Sequence, residues 1–229
     1  MRRTALVLLV LPLLAVACGG GGGKKTTTST AAAPPDPGKI VVGRLLTAAG
    51  ADNRKAIWNL LSTPSQKRLG PTYAQFAAGP AVIMERALKP FESEKLAPLI
   101  SQSISQQFGL VAVRNGTKAL AFPIRLEGST WKVETPGPIT FDILGPQPGS
   151  SSAVAQVAVE VKSPGVIGDA VLFVDGKPVP VNLTPNQGDA TAFANLSKAL
   201  APGVHIAVAF AVEGNLAGAE AWSFTATKP

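Results

Sequence analysis

The apolar periodicity of this chain changes once, and that change limits the folds open to it. From Lys39 to Phe91 apolar residues recur at helical spacing, and from about Leu110 onward they alternate. Val41, Leu45, Ala48 and Ala49 fall on one face of a first helix. Asp52 is placed to cap a second helix carrying Ile57, Leu60 and Leu61, which Thr63-Pro64 should end. A third helical stretch holds Tyr73, Phe76, Val82, Ile83, Leu88 and Phe91, with a break at Gly79-Pro80 and a stop at Pro90. Leu110 to Val113 then leads into Asn115-Gly116, a dipeptide suited to a two-residue hairpin. The returning strand puts Leu120, Phe122, Ile124 and Leu126 on one face, and Trp131 to Glu134 follows as a further strand. Three helices followed by an antiparallel meander predict an α+β domain with its helices on one side of a curved sheet.

Thr135-Pro136-Gly137-Pro138 marks a boundary, after which the chain reads as strand almost throughout. About seven short strands are expected, at 139–144, 153–161, 170–174, 179–183, 190–196, 205–213 and 220–226, a spacing that fits a β-sandwich. Asp175-Gly176 supplies a second strong hairpin turn.

The N-terminus has a different character. Arg2 and Arg3 precede an apolar stretch from Ala5 to Ala17, too short at about 13 residues for the roughly 20 that a membrane-spanning helix needs. Leu14-Ala15-Val16-Ala17-Cys18 resembles the bacterial lipobox, and the resemblance implies a diacylglyceryl-modified, palmitate-bearing Cys18 at the mature N-terminus. Covalent lipid contributes about 0.8 kcal/mol per buried methylene, so two or three acyl chains would hold the protein on the outer face of the cell membrane. Cys18 is the one cysteine, and its acylation leaves no thiol for a disulfide, a redox site or a metal. Gly19 to Gly23, Lys24-Lys25, a Thr-rich run and Pro34-Pro35-Asp36-Pro37 read as a tether. The expected organisation is a signal peptide (1–17), lipidated cysteine and tether (18–38), the α+β domain (39–135) and the sandwich (136–229).

The segment Ile57-Trp58-Asn59-Leu60-Leu61-Ser62, with Arg68-Leu69-Gly70, Tyr73, Phe76 and the closing Trp131-Lys132-Val133-Glu134, resembles the NTF2-like (cystatin-like) domains of bacterial lipoproteins. The resemblance implies a conical pocket, which Trp58, Tyr73, Phe76, Met84 and Phe122 would line, the other reading of these residues, and the favoured one, being a filled core. Leu200-Ala201-Pro202-Gly203-Val204-His205, then Gly214-Asn215 and Trp222-Ser223-Phe224, resembles the ending of bacterial immunoglobulin-like domains; the inter-sheet disulfide of antibody-type domains is absent, so only the architecture carries over.

Residues for catalysis are sparse. The single histidine, His205, opens an apolar strand and reads as structural. A transition metal would need three or four ligands, so no metal and no cofactor is expected. Neither a G-x-S-x-G elbow nor a serine–lysine arrangement occurs, and Ser62 to Ser65 and Ser150 to Ser152 read as turn and linker residues. Glu85, Glu92 and Glu94 are interspersed with cations and read as solvated helix surface. The glycine run does not sit between a strand and a helix, as a phosphate loop would require.

From Lys39 to Leu144 there are 13 basic and 7 acidic residues, and from Gly145 onward 4 and 6. A basic domain outside the cell is expected to meet an anionic envelope polymer, a lipid or a protein partner rather than nucleic acid. The sequence therefore predicts a lipid-anchored, non-enzymatic binding or scaffolding module of the cell envelope. The alternative is a carrier or sensor that holds an apolar small molecule or lipid in the NTF2-like cavity.

Overall fold

The structure, a computed structural model, describes residues 36–92, 98–135, 137–186 and 189–228. The signal peptide, Cys18 and the tether up to residue 35 lie outside the described residues, as does Glu94.

Five short α-helices replace the three expected. Asp36 caps α1 (Pro37–Gly50), its carboxylate accepting from the Gly38 and Lys39 amides, and Pro37 occupies a first-turn position where its missing N–H is no loss. The helix lies close on the sheet below it: a Cβ on Gly38 would come within 2.7 Å of Ile124 Cδ1. Asn53, not Asp52, caps α2 (Arg54–Leu60), accepting from the Ala56 amide at 3.0 Å. Asp52 instead takes a left-handed conformation (φ 50°) in the preceding turn, which a short polar side chain tolerates. Thr63-Pro64 follows the end of α2 as expected and also opens α3 (Thr63–Leu69), because Ser62 accepts from the Ser65 amide as its N-cap. Gly79 separates α4 (Tyr73–Ala78) from α5 (Pro80–Leu88), and a single 3-10 turn at Lys89–Phe91 ends the helical part.

The first sheet is an antiparallel meander of β1 (Pro98–Ser103), β2 (Phe108–Asn115), β3 (Lys118–Glu127) and β4 (Thr130–Val133). Pairing of Asn115 with Lys118 makes Gly116-Thr117 the hairpin loop, one residue later than the Asn-Gly reading. Gly116 (φ 61°) meets the need for positive φ at the first loop position. The helices cover one face, where Val111, Val113, Phe122 and Ile124 join Leu45, Ile57 and Phe76 in a common core.

The rest of the chain folds into two further sheets. The outer sheet has the order β10–β11–β7–β5, from β5 (Thr140–Gly145), β7 (Gln156–Lys162), β10 (Asn182–Asn186) and β11 (Asp189–Asn195). The middle sheet has the order β6–β13–β12–β8–β9, from β6 (Ser151–Ser152), β8 (Asp169–Val174), β9 (Lys177–Val179), β12 (Gly203–Glu213) and β13 (Leu216–Ala226). The single strand expected at 179–183 is two, because the chain at Pro180 passes from β9 in the middle sheet to β10 in the outer one. Val157, Val159, Val161, Leu172, Trp222 and Phe224 fill the space between these sheets.

The middle sheet is buried on both faces. Its second face carries Phe173, Ile206, Val208 and Phe210, which pack with Ile100, Phe108, Leu110 and Ala112 of the first sheet. Ala119 and Ala121 of β3 and Ala217, Ala219 and Ala221 of β13 also belong to this contact, and their small side chains let the two strands approach closely. The layers run helices, first sheet, middle sheet, outer sheet, and the described residues lie within one compact unit.

Candidate functional site

A cavity of about 440 Å³ opens between the helices and the first sheet. Leu45 of α1, Leu69 of α3, Met84 and Leu88 of α5, and Leu120 and Phe122 of β3 form its apolar wall, and Glu134 and Thr135 also line it. Of the five residues expected to line a pocket, Met84 and Phe122 do so. Trp58 and Phe76 lie in the solid core beside it, their ring centroids 5.1 Å apart. Tyr73 is half-buried, with the Lys55 ammonium 4.5 Å from its ring centre.

Glu134 is the centre of a charge network. Its side chain is 2% exposed and Oε2 accepts from Arg68 Nη2 at 3.1 Å and from Ser65 Oγ at 2.9 Å, while Oε1 accepts from Arg125 Nε. Ser62 donates to Ser65 Oγ at 2.8 Å, and the Thr135 amide donates to the same oxygen at 2.9 Å. Arg125, itself 7% exposed, lies over the Phe108 ring and donates through Nη2 to the Asn215 carbonyl in the β12–β13 turn. The network thus ties α3, the end of β4 and the sandwich hairpin together. Burial works against the Glu134 charge, but the hydrogen bonds from Arg125, Ser65 and Arg68 outweigh it and hold the carboxyl below its ordinary value. A carboxylate so occupied, accepting from two arginines and a serine, has little capacity left to act as a base.

Sequence reading missed this network. Ser62 and Ser65 read as turn residues, although a charged Arg125 inside the apolar strand Leu120–Leu126 signals a buried partner. Glu85 is also not solvated surface. It follows Ala81 by one helical turn on the buried stripe of α5 and is paired with Arg54 of α2, whose Nε reaches its Oε1 at 3.0 Å. Among the described residues no group of three or more His, Cys, Asp and Glu side chains is placed to hold a metal. No described helix is long and apolar enough to cross a membrane.

His205 is a second, separate polar feature. Nδ1 lies 2.6 Å from Asp175 Oδ2 and Nε2 lies 2.7 Å from the Ala201 carbonyl. Both partners are acceptors, so both ring nitrogens must carry protons. Burial opposes that charge, but the Ala201 carbonyl and the Asp175 carboxylate outweigh it and raise the pKa above the usual histidine value. Asp175 Oδ1 also accepts from the Ile206 amide at 3.0 Å, so the ion pair pins the turn between β8 and β9. Gly176 in that turn (φ 77°) lies so close to β1 that a Cβ would come within 2.5 Å of the Leu99 carbonyl oxygen. A histidine whose folded pKa is raised stabilises fully below its unfolded value, and the contribution is lost as pH rises through the folded value. The urea midpoint is expected to be higher at about pH 5.5 than at about pH 8.5, with the difference reduced in His205→Gln. Equal pH dependence in the wild type and His205→Gln would contradict the ion pair.

No protein-family model matches the chain, and no curated protein matches its sequence. Similar solved structures include PcoC, a methionine-rich copper resistance protein from Escherichia coli, at 17% identity over 35% of this chain and 90% of that one, with a TM-score of 0.26. A chain from the complex of titin with an obscurin-like 1 immunoglobulin domain is 14% identical over 39% of this chain and 94% of that one, TM-score 0.27. A tandem of titin immunoglobulin domains is 8% identical over 60% of this chain and 78% of that one, TM-score 0.27. Scores at this level carry no argument, and the sandwich rests on its own strand order and core.

Proposed function

We propose that the protein is a lipid-anchored, non-enzymatic binding module of the bacterial cell envelope, and that its cavity takes an apolar small molecule or lipid. The observation that carries the reading is the apolar volume of about 440 Å³, within the roughly 300–1,000 Å³ range of small-molecule sites. Helices covering one face of an antiparallel meander, with a cavity between, support an NTF2-like first half, and the two-sheet arrangement after residue 138 supports an immunoglobulin-like second half. Attachment through an acylated Cys18, on the extracytoplasmic face of the membrane, follows from the lipobox resemblance alone. The excess of cations in the first half favours anionic envelope components as neighbours.

Protein purified from its own membrane is expected to carry an apolar molecule detectable by native mass spectrometry. Met84→Trp, which fills the cavity from its wall, should lower that occupancy about tenfold or more, as a lost pocket contact of 1.4 kcal/mol or more would. A folded wild type that arrives empty overturns the cavity reading. Cys18→Ser should release the protein from the membrane fraction and abolish palmitate incorporation; retained attachment and labelling overturn the anchor.

A further inference from the structure

The outward face of α5 and the turn after it combines exposed apolar side chains with cations that make no ion pair among the described residues. Val82 is 39% exposed and Ile83 is 72% exposed. Ile40, Leu144, Val166 and Val204, the other large apolar residues exposed among those described, stand singly in the sequence, whereas these two are adjacent. At helical spacing Val82, Arg86 and Lys89 form one stripe and Ile83, Ala87 and Pro90 the next, and all six are exposed. Arg86 and Lys89 make no ion pair among the described residues.

Among the described residues, the two carboxylates of this part of the chain are directed elsewhere. Glu85, the acid of this helix, is turned inward to Arg54, and Glu92 lies against Gly50 of α1. On the sandwich side Arg86 and Lys118 share a cleft with Glu220, which leaves that cleft with more cations than anions. Ile83 is also a wall residue of the apolar cavity. A residue that is both cavity wall and mostly exposed stands at the cavity's opening.

We propose that this face docks the protein onto the surface of an anionic lipid bilayer, with Val82 and Ile83 entering the headgroup boundary and Arg86 and Lys89 against the anionic headgroups. The cavity mouth then faces the membrane, so that an apolar ligand passes between bilayer and cavity without crossing water. The inference rests on the reading of the cavity as an apolar-ligand site, and it supplies the source of the ligand. Apolar side chains ringed by lysine and arginine are the surface chemistry of peripheral membrane contact. An exposed pair of β-branched residues with no such role only adds apolar surface to water.

The test is an environment-sensitive NBD probe on Ile83→Cys, in the full membrane-attached protein reconstituted into phosphatidylcholine vesicles or vesicles of phosphatidylcholine and phosphatidylglycerol in equal parts. A second probe on Thr184→Cys, on β10 of the outer sheet, is the control. Emission at position 83 should shift to the blue in the anionic vesicles and not in the neutral ones, with position 184 unchanged in both. Arg86→Gln with Lys89→Gln should weaken the docking equilibrium about 10- to 30-fold, as the loss of two headgroup contacts would. Raised salt should weaken it also. If position 83 reports water in both vesicle types, or positions 83 and 184 shift alike, the docking face is overturned. Ligand occupancy by mass spectrometry is read separately, so an empty cavity with a docked face and a filled cavity with an undocked face are distinguishable outcomes.

Discussion

Glu134→Ala is expected to destabilise the protein by about 3–5 kcal/mol, read as a lowered urea midpoint at unchanged slope. The magnitude comes from what is left behind rather than from what is removed. Arg68 is 29% exposed and can turn to water, but Arg125 is 7% exposed and would remain as an uncompensated charge beside Phe108. Replacing both members of the buried pair, with Glu134→Leu and Arg125→Met together, should recover more than half of the loss, because two apolar side chains need no partner. If the double variant is as unstable as the single one, the cost lies in the Ser62–Ser65 and Thr135 hydrogen bonds instead. The pH dependence has the opposite sign from that of His205. A carboxyl with a depressed folded pKa stabilises above its unfolded value, and that contribution is lost as pH falls through the folded value. The acid limb of the stability profile should therefore reach below the ordinary carboxylate range in the wild type and shorten in Glu134→Leu with Arg125→Met.

Phe173→Ala is expected to cost a similar amount, about 3–5 kcal/mol, as a fully buried aromatic lost from a packed core. Its position makes the variant informative about cooperativity. Phe173 belongs to the middle sheet yet packs with Phe108 and Leu110 of the first sheet, so the cavity it leaves is shared by both halves of the chain. Unfolding followed through Trp58 and Trp131 in the first half and through Trp222 in the sandwich should give one coincident transition, displaced equally in the variant. Two separate transitions, with the Trp222 transition alone displaced, would show the halves to be independent.

The helical start was legible where breaking residues are unambiguous, as at Gly79-Pro80, and misread by one residue at α2, where Asn53 rather than Asp52 is the cap. The meander was legible from its alternation, except for β1, whose Ser101, Gln102 and Ser103 give an edge strand no apolar pattern to read. The contact between the first and middle sheets left a signal of another kind. Leu110 to Val113 and Ile206 to Ala211 are apolar at every position, the mark of strands covered on both faces, and all ten residues are buried. A reading tuned to alternation assigns such a run one face only. At the candidate site, Met84 and Phe122 were within reach of the sequence because helix and strand periodicity turn them toward each other. The Ser65–Arg68–Glu134–Arg125 network was not, because its members come from α3, β3 and the end of β4, and their meeting depends on how the helices settle on the sheet.

The two-faced burial of the first sheet also bears on how the chain comes to be made. Phe108, Leu110 and Ala112 are synthesised well before the strands that cover them, β12 and β13, which end at Ala226. At about 5–20 residues per second, an emerging chain would hold an apolar sheet face open to solvent for on the order of 5–20 s before its cover arrives. During that interval a holding factor that shields one flat apolar surface would meet a need written into the order of the strands.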